Sequence, residues 1–153
     1  MAKLFLWATL LLFSFYFSGH LFDIIANVPN WESGEVNDVR IYRDFYHKSS
    51  PTRYFAPLVL GTPIVSLIAL ILVWKKGGRT RTLLGVSFLI AAGVAIWTVL
   101  FFVPINQYIL TGDYSPVELK GLVAKWVRYD YLRLAVLGIG LASSIWALTS
   151  YKE

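Results

Sequence analysis

Charged residues divide the chain into four long apolar windows. Leu4–Phe22 lies between Lys3 and Asp23, Tyr54–Trp74 between Arg53 and Lys75, Thr82–Gly112 between Arg81 and Asp113, and Leu134–Tyr151 between Arg133 and Lys152. Crossing a bilayer core of about 30 Å takes roughly 20 helical residues at 1.5 Å each, and every window meets or approaches that length. Such a run can also be the buried helix of a soluble core. Four of them in 153 residues, however, leave no amphipathic helices to cover them. The pattern therefore predicts an all-α fold, an antiparallel bundle of four transmembrane helices near 4–27, 54–74, 82–109 and 130–150. No repeat, linker or low-complexity stretch interrupts it, so residues 1–153 read as one integral membrane domain. Lys3 and the small pair Ser18-Gly19 give the first window some likeness to a secretion signal. Its apolar character continues through Leu21, Phe22, Ile24 and Ile25, which marks a retained anchor.

The segments between the windows are patterned too. In 34–47, Val36, Val39, Tyr42 and Tyr46 fall on one helical stripe, with Glu35, Asp38 and Arg40 elsewhere. That spacing predicts a short amphipathic helix lying on the membrane or over the bundle mouth, ended before Pro51. Ser115-Pro116-Val117-Glu118 is a capping-box start with Pro at the first helical position. From there only Gly121 interrupts the helical pattern, so the fourth helix is expected to begin outside the bilayer and run straight into it.

Composition sharpens the picture. The chain is 57% hydrophobic and only 15% charged, against about 45–50% and 25% in soluble domains. Without cysteine, it has no disulfide framework, thiolate nucleophile or Cys-bound metal. Its net charge of +5 has the sign of a nucleic-acid binder, but the basic residues form no stripe beyond the short 75–81 connection, and nucleic acid is not expected as a partner. Lys75, Lys76, Arg79 and Arg81 crowd that connection without an acid, and Lys3 and Lys152 fall on the same side, with Glu153 as the one acid there. The opposite side dilutes its Lys and Arg among acids over two longer loops. The positive-inside rule then places both termini in the cytoplasm, in a bacterial inner membrane or its equivalent.

Small residues recur every four positions at Ser87, Ala91 and Ala95, at Gly138 and Ala142, and at Gly140 and Ser144. That spacing lets helix backbones approach closely in lipid, here within one chain. Polar residues at membrane depth say more, since each is costly unless it meets a partner or a cavity. His20, Asp23 and Asn27 share one face of the first helix, and Trp126, Asp130 and Arg133 one face of the fourth. Asn106 follows Pro104 beyond the middle of the third window. With the termini inside, all of these converge near the outer interface, which predicts a polar-lined pocket opening outward between helices. Asp23 or Asp130 is the expected partner of Arg133. A purely structural network that pins the helices in register is the other reading. Tyr16, Trp31, Tyr54, Trp126 and Tyr129 read mostly as an interfacial aromatic belt. His20 with Asp23 supplies two ligands where zinc or iron needs three or four, so no metal, haem or other cofactor is expected. Neither a phosphate loop nor a serine with a base in reach is present.

The spacing Pro104-Ile105-Asn106, then Trp126, Asp130 and Arg133, together with Ser18-Gly19-His20 through Val28-Pro29 and the pair Phe45-Tyr46, resembles the anthrone-oxygenase-like family of small four-helix membrane proteins. In that family's pattern the third helix ends in Asn and is followed by Trp-x-x-x-His-x-x-Arg. Here Asp130 stands in the His position. The resemblance implies a bundle with an outward polar pocket, used in characterised relatives to oxygenate a flat, lipophilic anthrone to a quinone without metal or flavin.

Two function classes follow. In the first, a lipophilic aromatic or quinone-like molecule enters from the outer leaflet. Asp23 or Asp130 acts as general base with His20 assisting, and Arg133 and Asn106 hold the resulting oxyanion, with Trp126 and Asn27 as further binding residues. In the second, the protein is a non-catalytic accessory subunit whose outer segments 29–54 and 111–130 contact a membrane protein partner, or a second copy of itself. Transport is a distant third, since four helices without inverted repeats offer little for alternating access.

Overall fold

The computed structural model describes residues 1–76, 78–112 and 114–151. Gly77 of the expected turn, Asp113 at a window edge, and Lys152 and Glu153 of the charge comparison lie outside the described residues. Among the described residues the chain is helical and contains no strand: α1 (Ala2–Phe22), α2 (Val36–Phe45), α3 (Thr52–Val73), α4 (Gly78–Trp97), α5 (Val103–Thr111) and α6 (Pro116–Ser150). Four stretches are long and apolar enough to cross a membrane, namely Ala2–Asn30, Thr52–Val73, Gly78–Ile109 and Pro116–Ser150. They form a four-helix bundle in which α1 packs on α3 and α6, and α4 packs on the same two.

The distribution of polarity is that of a protein solvated by lipid. Large apolar side chains such as Leu60, Ile71, Leu89 and Leu100 cover the outside, while Thr9, Thr62, Ser66, Ser87, Asp130 and Arg133 are buried. Buried hydroxyls fold back onto their own helices: Thr62 Oγ1 donates to Leu58 O at 2.7 Å and Ser66 Oγ to Thr62 O at 2.6 Å. No water is needed to satisfy them. These four spans make the chain an integral membrane protein.

Three apolar layers stack along the bundle. Leu6, Val73, Leu84 and Ala147 close the end that carries both termini. Phe13, Leu58, Val94 and Leu137 fill the middle, and Val28, Trp31, Val39, Phe102 and Trp126 the far end. The small-residue spacing works inside the chain: a side chain at Gly140 would run into the Phe13 ring and Ile90, and Ser87 Oγ donates to Gly140 O at 3.4 Å.

Two of the spans open into π-helical turns, at Asp23–Asn27 and Thr98–Phe102. Each is followed by Val-Pro, with Pro29 and Pro104 two residues beyond the turn. Proline lacks the N–H for the carbonyl four residues back and crowds it, so the helix widens ahead of it rather than continuing in α geometry. The same dipeptide thus produces the same distortion in two helices, and the first residue of each turn, Asp23 or Thr98, borders the site described below.

Ser115 starts α6 as the spacing predicts: its Oγ accepts from Glu118 N at 3.3 Å, and Glu118 accepts from Ser115 N at 2.9 Å. From that cap α6 runs unbroken to Ser150. The amphipathic segment forms α2 and closes the bundle mouth. Val39 is 1% exposed and Tyr42 packs on Trp31 at 5.2 Å, whereas Val36, expected on the same stripe, is 41% exposed. Gly34 seats α2 against α6. Its φ is +66°, and a Cβ there would lie 2.8 Å from Lys120 Cα. Gly34→Ala is therefore expected to cost about 1–2 kcal/mol from the left-handed backbone alone. Lys120→Ala removes an exposed 2.7 Å pair with Glu35 and should cost under about 1 kcal/mol. Denaturant unfolding of both variants in detergent checks the order.

Candidate functional site

α6 presents Arg133, Asp130 and Trp126 on its inward face, all buried. Arg133 Nε donates to Asp130 Oδ1 at 3.0 Å, and Nη2 closes on the same oxygen. The partner of Arg133 is thus Asp130, one turn away on its own helix, and not Asp23. Desolvating this pair is offset by the other contacts of the guanidinium. It stacks over the Phe102 ring at 3.7 Å, and Nη1 donates to Thr98 Oγ1 at 3.4 Å. Nη2 lies 3.4 Å from His20 Nδ1, which is also 3.4 Å from Asp130 Oδ1. The first, third and fourth spans therefore meet at one charged cluster. His20 is held in plane by a stacked Phe55, 4.4 Å between centroids, with Tyr16 at 5.2 Å.

A second set of bonds ties α1 to the segment after α2. Asn27 Nδ2 donates to Asp23 Oδ1 at 2.7 Å, and Tyr46 Oη donates to Asn27 Oδ1 at 2.9 Å. Burial pushes the Tyr42 and Tyr46 hydroxyls up, and the charge of Asp23 pushes both further the same way, so both stay neutral at ordinary pH. On the opposite side Trp126 Nε1 donates to Asn106 Oδ1 at 2.8 Å, which leaves the amide nitrogen of Asn106 facing outward from that bond.

Between these groups lies a cavity of about 320 Å³ at the end of the bundle remote from both termini. His20, Asp23, Arg133, Asn106 and Trp126 border it, as do Tyr16, Phe55, Thr98 and Phe102. Asn27 and Asp130 are not on its wall. They stand behind it, Asn27 holding Asp23 and Asp130 holding Arg133. Among the described residues, Tyr16 Oη, His20 Nε2, Trp31 Nε1 and Asp130 Oδ2 are buried without a hydrogen-bond partner, and the first three belong to residues of the wall.

Tyr16, Trp31 and Trp126 are 1%, 4% and 6% exposed, which corrects their reading as a lipid-facing belt. Trp31 packs on Trp126 and on Tyr42 of α2, and Tyr16 lies in the middle layer against His20 and Phe55. Sequence reasoning did not single out Thr98, Phe102 or Phe55. For Thr98 a signal existed, since it precedes Val103-Pro104 by the same interval that separates Asp23 from Val28-Pro29.

A four-span membrane bundle with a buried Arg–Asp–His cluster on an aromatic-walled cavity is the class that fold and site define. The chain belongs to the anthrone oxygenase family, whose model matches residues 46–143, well over half of its length. Asn106, Trp126, Asp130 and Arg133 fall within the match, and His20, Asp23 and Asn27 ahead of it. No curated protein and no solved structure matches the chain.

Proposed function

We propose that the cavity receives a flat, lipophilic aromatic molecule of the anthrone or quinone type, and that the protein oxygenates it with dioxygen and no cofactor. What carries this reading is the placement of the buried Arg133 guanidinium, the His20 imidazole and the Asp23 carboxylate on the wall of a largely apolar cavity inside a membrane bundle. About 320 Å³ lies at the small end of the roughly 300–1,000 Å³ typical of ligand sites, a size suited to one fused-ring molecule. Anthrone is a carbon acid, because loss of a methylene proton yields an aromatic oxyanion. Arg133, with the free amide nitrogen of Asn106, is suited to hold that oxyanion in a dry site. Dioxygen then bonds to the carbanionic carbon, and loss of water leaves the quinone carbonyl: CH2 and O2 become C=O and H2O. The proton acceptor comes from His20, Asp23 and Asp130, of which Asp130 must act through a neighbour. With both termini cytoplasmic, the cavity lies at the level of the outer leaflet, where a lipophile is concentrated.

The test is anthrone turnover by protein in nanodiscs, read as quinone absorbance together with oxygen uptake. One O2 consumed per quinone, above the rate in empty nanodiscs, is expected. No saturable binding and no rate above that background would defeat the reading.

The accessory-subunit reading has one observation in its favour. Ile41 and Phe45, one turn apart on α2, are 59% and 76% exposed. Native mass spectrometry from mild detergent decides for it if a stoichiometric second polypeptide stays attached, and against it if the chain flies alone or with itself.

A further inference from the structure

We propose that Asp130 and His20 act as a pair, in which Asp130 accepts the Nδ1 proton of His20 and leaves Nε2 as the proton-accepting atom of the cavity. His20 is 2% exposed, borders the cavity, and has no hydrogen-bond partner for Nε2. An unpartnered nitrogen at that depth is costly unless something placed in the cavity bonds to it. Which imidazole nitrogen carries the proton is set by what the other one bonds. Nδ1 has two neighbours at the same 3.4 Å, Asp130 Oδ1 and Arg133 Nη2. If Arg133 donated to Nδ1, the proton would sit on Nε2 and the cavity would meet a donor. The carboxylate is the better match. The anionic oxygen is the stronger acceptor of the two neighbours, and with Oδ2 unpartnered the hydrogen bonds of the carboxylate gather on Oδ1, the oxygen that faces Nδ1 and already takes Nε and Nη2 of Arg133.

The rest of the surroundings fixes the ring for this task. Phe55 stacks on one face with an interplanar angle of 23°, and Tyr16 borders the ring. Arg133 and Asp130 bring opposite charges to the ring, and when Nε2 takes a proton the imidazolium lies against Asp130. Asp130 never reaches the cavity and is a positioning residue. The arrangement is the base-and-orienter half of a hydrolytic triad, directed at a carbon acid instead of a serine.

The tautomer can be read without any substrate, whereas the base role rests on the anthrone reading. The chain has two histidines, so His47→Gln, at an exposed loop position, leaves His20 as the single imidazole signal in full-length, 15N-histidine-labelled protein in detergent micelles. The expected spectrum shows a protonated, pyrrole-type Nδ1 and a lone-pair, pyridine-type Nε2. In Asp130→Asn the amide NH2 faces Nδ1 and the proton should move to Nε2. A wild-type spectrum with the proton on Nε2 overturns the proposal whatever the protein does with anthrone, and it decides the matter even if Asp130→Asn does not fold. Anthrone then separates the two layers. His20→Gln, at a concentration of anthrone that saturates it, should form quinone at least about a hundredfold more slowly than wild type. Unchanged turnover refutes the base role. If wild type neither binds nor oxidises anthrone while Nδ1 carries the proton, the anthrone reading falls and the pairing stands.

Discussion

Arg133→Leu is expected to lower the unfolding free energy by about 3–5 kcal/mol and to abolish anthrone turnover. The carboxylate of Asp130 is fully buried on α6. Without Arg133 it keeps His20 as its one charged or chargeable neighbour at bonding range, and the desolvation that the guanidinium offsets becomes an uncompensated penalty. Thr98 and the face of Phe102 lose their contacts at the same time. The double variant Arg133→Leu/Asp130→Leu removes both charges and should recover most of the stability, because apolar side chains of similar volume replace a buried pair at little or no net cost. It should not recover turnover, since the oxyanion site is gone. Denaturant unfolding in detergent followed by circular dichroism, beside the quinone assay, separates these outcomes. A single variant as stable as wild type would show that the pair is not an ion pair in the folded bundle.

Filling the cavity should separate binding from architecture. Val59 lies on α3, buried, with its side chain on the cavity wall. Val59→Phe places a ring in the space and is expected to weaken anthrone binding by at least about tenfold, one or more multiples of 1.4 kcal/mol. Stability should hold or rise by about 0.5–2 kcal/mol, as it does when an internal void is filled. A loss of about 1–3 kcal/mol would instead be the signature of overpacking, and would mean that the space is already used. Unchanged binding would place the ligand somewhere else on the bundle. Anthrone titration by fluorescence and a thermal melt on the same sample give both readouts.

The parts of the site that were legible in the sequence are those set by local periodicity. His20 and Asp23 three apart, and Asp130 and Arg133 three apart, had to share faces if their segments were helices, and both faces do line the same level of the bundle. The capping box at Ser115 is equally local: its donors and acceptors lie within four consecutive residues. Asn27 was assigned to that same face by α-helical spacing, and the π-turn at Asp23–Asn27 is the feature that such counting omits. It leaves Asn27 as a bridge from Asp23 to Tyr46 instead of a wall residue. The choice between Asp23 and Asp130 as partner of Arg133 was open in the sequence, because both carboxylates lie at the right depth. Proximity within one helix turn settles it.

What the sequence determined by itself is the number of membrane spans, their alternating direction, the depth of the polar groups and the start of α6. Each of these follows from where charge is tolerated along a chain in lipid. What only the tertiary structure decided is which polar atoms meet and which are left unpaired. Phe55, Thr98 and Phe102 enter the site from two other helices, and Tyr16 and Trp31, expected in an interfacial belt, are walls of the cavity. Helical periodicity fixes which face of a helix a residue occupies, but not which neighbour that face will meet. That pairing depends on close approach at positions such as Gly34 and Gly140, where the absence of a side chain lets one helix settle against another.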